Sequence, residues 1–172
     1  MRKFVLLAST FVTLAAAAAL PAAGADTTAT FTLTAGALSI SAPTGSVSLG
    51  TQVARASSST IGGPLGVVTV TDDRGGATTW VASVIVTAFT PTTGPAVTAI
   101  PASQVTYVPG TVTEVGVTTA QPAEASLAGV VPVVNGTSTG LSTASWNPII
   151  SVLVPANAAP GIYTATITHS VA

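Results

Sequence analysis

The amino-acid sequence predicts an all-β protein, a single-domain antiparallel β-sandwich with Greek-key-like connections, standing behind a secretory signal peptide. Three observations predict it. Val and Thr dominate, while Leu, Lys, Glu and Gln are scarce, and no 3.6-residue apolar period holds for three turns. Runs of four to ten residues rich in Val, Ile and Thr recur between breaks that carry Gly and Pro. Residues 26–172 are also enough chain for one domain with a real core.

The first 25 residues are set apart from that domain. Arg2 and Lys3 form a positive n-region and Phe4–Leu20 an apolar h-region, and Ala23-Gly24-Ala25 is a small-x-small cleavage site, with the cut placed before Asp26. An uncleaved membrane anchor is the competing reading, and the cleavage site and alanine run argue against it. The protein is therefore expected to be exported.

The strands follow in order. Thr28–Thr34 alternates Phe31 and Leu33 with threonines, and Ala37–Ser41 and Ser46–Leu49 are short strands about the turn Pro43-Thr44-Gly45. Gln52–Gly63 reads as loop. Val67–Thr71 and Thr79–Ala88 read as a central hairpin joined by Asp72-Asp73-Arg74-Gly75-Gly76, with Trp80, Ala82, Val84, Val86 and Ala88 on one apolar face. Thr90–Pro95 is a break. Val97–Val108 is extended around Pro101, and Thr111–Thr119 alternates imperfectly. Ala120–Ala144 reads as irregular, with one strand at Val130–Val134. Trp146–Val154 and Ile162–Val171 close the set, the latter placing Tyr163, Ala165, Ile167, His169 and Val171 together.

Charge and cysteine usage exclude several functions. Residues 26–172 carry Arg55 and Arg74 against Asp26, Asp72, Asp73, Glu114 and Glu124, and no lysine. Such a chain cannot assemble the basic patch that nucleic acid or an anionic membrane requires. There is no cysteine, so burial and sheet hydrogen bonds must supply the stability. After signal cleavage no run of about 20 apolar residues remains to form a transmembrane segment. No LPxTG-type sorting signal is present, so covalent wall anchoring by that route is not expected.

Two motifs carry a resemblance. Val70-Thr71-Asp72-Asp73-Arg74-Gly75 precedes Thr79-Trp80-Val81-Ala82, and Tyr163-Thr164-Ala165-Thr166-Ile167-Thr168-His169 stands near the end. In order and placement these resemble the two motifs of WxL-domain proteins, secreted cell-wall-associated surface proteins of Gram-positive bacteria. The first motif of that family is Trp-x-Leu after a segment like V-x-D-x-R-G, and the second is Tyr-x-x-x-(Leu/Ile)-Thr-Trp. Ala82 stands where the family has leucine, and His169 where it has the final tryptophan. The resemblance spans the domain and implies noncovalent association with peptidoglycan or another cell-wall glycan, beside partner surface proteins. It also implies ligand binding at Trp80, Ala82, Tyr163 and His169.

Each candidate residue has a plainer role. Trp80 and Tyr163 sit on apolar strand faces and read first as core. Trp146, ahead of Asn147-Pro148, is the better candidate for a partly exposed aromatic. Asp72, Asp73, Arg74 and Trp146 are a candidate recognition tip, with a turn held by an Asp–Arg pair as the structural alternative; an exposed pair of that kind is worth roughly 0–1 kcal/mol. Adjacent aspartates fall short of the roughly 6–8 oxygens a calcium site takes. One histidine without cysteine makes no zinc site of the usual composition. No Gly-x-Ser-x-Gly elbow or phosphate loop is present. No metal, no cofactor and no catalytic residue is expected. The expected function is that of a secreted, non-enzymatic surface protein on the cell wall. The alternative is a structural subunit that pairs with itself or a larger surface protein through sheet edges.

Overall fold

The computed structural model describes residues 26–93 and 99–172. The signal peptide read over residues 1–25 lies outside them, as does the stretch 94–98, where the Thr90–Pro95 break meets the extended piece from Val97. The described residues form β1 (Leu38–Ser41), β2 (Ser59–Pro64), β3 (Val68–Asp72), β4 (Thr78–Val86), β5 (Thr90–Pro91), β6 (Val105–Val108), β7 (Thr113–Ala120), β8 (Ala125–Ser126), β9 (Val131–Trp146), β10 (Ile149–Val154), β11 (Tyr163–Thr164) and β12 (Ile167–Val171), with a single 3-10 turn at Ala102–Gln104.

The protein is all-β and antiparallel, as the composition requires. The larger sheet runs β1-β3-β9-β4-β12 with β7 along β9, and the smaller one runs β2-β10-β6-β8. Every ladder joins strands that are not consecutive in the chain, so the order is non-sequential in the manner of Greek-key sandwiches. The two inner faces make the core. Val68, Val70, Trp80 and Val84 come from one sheet and Val105, Tyr107, Ile150 and Val152 from the other, all buried. Full burial of one such aliphatic side chain is worth about 1.5–3 kcal/mol.

The organising strand is β9, sixteen residues long. The segment Ala120–Ala144, expected to be irregular, is mostly this strand. Its inward positions Gly136, Ser138, Ser142 and Ala144 are buried but small, so the apolar alternation that marks a strand is missing from the sequence. At Gly136 the reason is steric. It lies opposite Trp80, and a Cβ on Gly136 would overlap the indole ring.

The central hairpin is not a hairpin. β3 and β4 do not pair with each other; β3 pairs with Ser142–Trp146 and β4 with Val131–Ser138, both antiparallel to β9. Because β7 occupies the other edge of β9 along both stretches, β3 and β4 lie end to end on one edge. Residues 73–77 loop out of this interrupted strand.

Other expectations are corrected locally. Thr28–Thr34 and Ser46–Leu49 find no ladder partner and are not strands. The loop read over Gln52–Gly63 ends in β2, an edge strand on β10, where Gly62 lets the backbone approach Ile150 more closely than a Cβ would allow. Trp146 ends β9 instead of opening the next strand, and Asn147-Pro148 carries the chain to the other sheet. Ile162–Val171 is broken into β11 and β12 because the Thr166 N–H donates to Thr87 Oγ1 and not to a carbonyl. No helix of the described residues is long and apolar enough to cross a membrane.

Candidate functional site

The two motif segments are neighbours in space. β4 and β12 form one ladder, with Val84 opposite His169 and Ala82 opposite Val171. Their side chains point inward. Trp80 is 2 % exposed and Ala82 1 %, so neither reaches the surface. The indole N–H of Trp80 has no hydrogen-bond partner among the described residues. Tyr163 is half-buried and its hydroxyl donates to the Ala159 carbonyl at 3.0 Å.

His169 belongs to a chain of hydrogen bonds that crosses between the sheets. Trp146 Nε1–H donates to Tyr107 Oη at 2.9 Å, and Tyr107 Oη lies 3.2 Å from His169 Nε2. Since Oη already accepts from Trp146, its own proton is best placed on a neutral His169 whose Nε2 is the acceptor. Burial pushes the Tyr107 hydroxyl pKa well up and the His169 pKa below its ordinary 6.5. Trp146 is therefore not the exposed aromatic that its place before Asn147-Pro148 suggests; it is 2 % exposed. Tyr107, the middle member, carries no local signal beyond its alternation with Val105.

A pH dependence follows. With the His169 pKa lowered on folding, the unfolded chain binds more protons just below pH 6.5. Stability then rises with pH through that window and is lost as pH falls through it. Acid titration of the thermal midpoint should show a first decline starting near the ordinary histidine pKa. His169→Gln should remove that decline while leaving the one at lower pH. An unchanged first decline in this variant would refute the assignment.

Asp72 is the buried half of a clasp whose other half, Arg74, is 30 % exposed, and the segment is not a recognition tip. Asp72 is 1 % exposed. Its carboxylate accepts from Arg74 N at 3.1 Å, Arg74 Nε at 2.9 Å, Arg74 Nη2 at 3.0 Å and Thr78 Oγ1 at 2.7 Å. Arg74 Nη2 also donates to the Thr79 carbonyl at 3.0 Å. Asp72 thereby closes the looped-out residues onto the start of β4. The Arg74 bonds, aided by Thr78, outweigh desolvation and hold the Asp72 pKa far below the usual carboxylate range. Asp73 is exposed. Trp146 pairs with Val68, at the other end of β3 from Asp72, so the four tip residues do not converge.

Two surfaces remain. One is a groove of about 990 Å³ beneath residues 43–55, lined by Ile61 of β2, by Phe89, and by Tyr163, Ile167 and His169. It lies at the upper end of the range for small-molecule pockets, roughly 300–1,000 Å³. Gln52 lines it, and its Oε1 is buried without a partner among the described residues. The other is the outer face of the larger sheet. There the register aligns Ser41, Thr69, Ser145 and Thr113 in one cross-strand row, Ser39, Thr71 and Thr143 in a second that ends on Val115, and Thr79, Thr137 and Thr118 in a third. All these side chains are exposed or half-exposed, and no charged side chain stands in any row. No family model, no curated protein and no solved structure matches this chain.

Proposed function

We propose that this protein is a secreted, non-enzymatic surface domain that associates noncovalently with the bacterial cell wall, laying the outer face of its larger sheet against peptidoglycan or another neutral wall glycan. The observation that carries this reading is the uncharged rows of Ser and Thr hydroxyls. Strands stand about 4.7–4.9 Å apart, so the rows form a regular lattice of donors and acceptors facing outward. One such bond is worth about 0.5–1.5 kcal/mol net. Affinity must come from many contacts along a repeating polymer, the form in which a wall presents its glycan. The resemblance to WxL-domain proteins points to the same environment. Two acid–base groups are bonded within the fold, His169 to Tyr107 and Asp72 to Arg74 and Thr78.

The test is co-sedimentation of purified Asp26–Ala172 with insoluble peptidoglycan, with and without its attached wall polymers. Binding through neutral hydroxyls should survive moderate salt, since screening acts on charges. Replacing Thr69 and Thr143 by valine keeps their shape and strand preference, and should weaken retention severalfold without moving the thermal midpoint. A protein that stays in the supernatant with every wall preparation, or valine variants that sediment like the parent, would sink this reading.

A further inference from the structure

We propose that the groove beneath residues 43–55 receives the N-terminal segment Thr28–Thr34 of a second copy as an added β-strand, so that the exported chain assembles head to tail. The segment has the sequence of a strand without the partner of one. Ala29, Phe31 and Leu33 alternate with four threonines, yet the segment forms no ladder. Phe31 is 91 % exposed and Leu33 89 %. Two large apolar side chains on one face of an extended segment are what strand addition buries.

The groove offers the complementary half. It is bordered by β2, which among the described residues pairs on one side only, with β10, so the backbone N–H and C=O groups of its other edge are open to an incoming strand. Its lining includes the apolar side chains of Leu49, Ile61, Phe89 and Ile167. At about 3.3 Å per residue, Thr28–Thr34 is long enough to run the length of β2, six residues. The orphaned Gln52 Oε1 supplies a buried acceptor for an N–H of the guest. Charge fits as well. Arg55 is the one charged residue of the groove lining and makes no salt bridge among the described residues, while Asp26 stands two residues before the segment.

Donor segment and acceptor groove are different surfaces, so the contact is heterologous and leaves one of each free at the ends of any chain of copies. That geometry yields open assemblies and not closed pairs. It involves none of the outer-face hydroxyls, and its success or failure is independent of wall binding.

The test is light scattering of Asp26–Ala172 across a broad concentration series, beside Phe31→Asp/Leu33→Asp, Asp26→Arg, Arg55→Asp and the charge-exchanged Asp26→Arg/Arg55→Asp. The parent's average mass should at least double across the series and keep rising. The Phe31→Asp/Leu33→Asp variant should stay monomeric with an unchanged thermal midpoint, because those side chains are exposed in the single copy. Each single charge variant should assemble less, and the exchanged pair should recover. A parent that is monomeric throughout would overturn the proposal, whether its segment is idle or folds onto its own groove. So would assembly that persists in Phe31→Asp/Leu33→Asp, which would assign self-association to another surface.

Discussion

Trp80→Ala is expected to lower the unfolding free energy by about 3–5 kcal/mol, the range for removing a buried large aromatic. The indole is the largest fully buried side chain of the core, and it rests on Gly136, which has no side chain to fill the space it would leave. Against a total stability of about 5–15 kcal/mol, such a loss removes much of the margin. At about 2–4 °C per kcal/mol for a chain near this size, the thermal midpoint should fall by roughly 6–20 °C. A fall below about 1 kcal/mol would mean that the indole does not hold the sheets together. The result also governs how the motif is tested. Lost wall retention in this variant is lost folding unless its melt is normal, so Trp80 is a poor probe of binding.

Asp72→Ala should cost about 1–3 kcal/mol, the range for leaving hydrogen-bond donors without their acceptor. The substitution removes the acceptor for Arg74 and Thr78 and frees the looped-out residues 73–77 between β3 and β4. Asp73→Ala, one residue on and exposed, should leave the melt within about 0.5 kcal/mol. This contrast separates a clasp from a recognition tip. A tip would show both variants folding normally and binding less. The pH response has a definite sign. Because the folded Asp72 pKa lies below its ordinary 3.8, the stability it contributes is present above that value and is lost as pH falls below it. The acid limb of the melt at low pH should therefore be shallower in Asp72→Asn, and an identical limb would refute the clasp.

The strand Thr78–Val86 was legible because Trp80, Ala82, Val84 and Val86 put an apolar residue at every second position, the period a strand imposes. The joint face of Tyr163, Ile167 and His169 was legible for the same reason. β9 was not. Gly136 had to be small where Trp80 crosses it, and Ser138 and Ser142 bond to each other in the interior, so the apolar alternation was missing. Residues 72–76 have the turn chemistry of a hairpin. Whether they close a hairpin or loop out of a strand depends on β9, more than fifty residues later, occupying the edge that each half would otherwise offer the other.

The candidate site divides in the same way. That Trp146 needed a partner for its N–H could be read from the residue alone. That the partner is Tyr107, and that Tyr107 in turn meets His169, depends on two sheets closing over three strands far apart in the chain. Composition and periodicity alone determined the all-β class, the scarcity of basic residues over 26–172 and the inward face of β4, because these depend on residue type and local spacing. Tertiary structure alone decided that Asp72 is buried, that β3 and β4 run end to end, and which hydroxyls share a row. Each of these depends on register, and register is set by long-range pairing that no local segment contains.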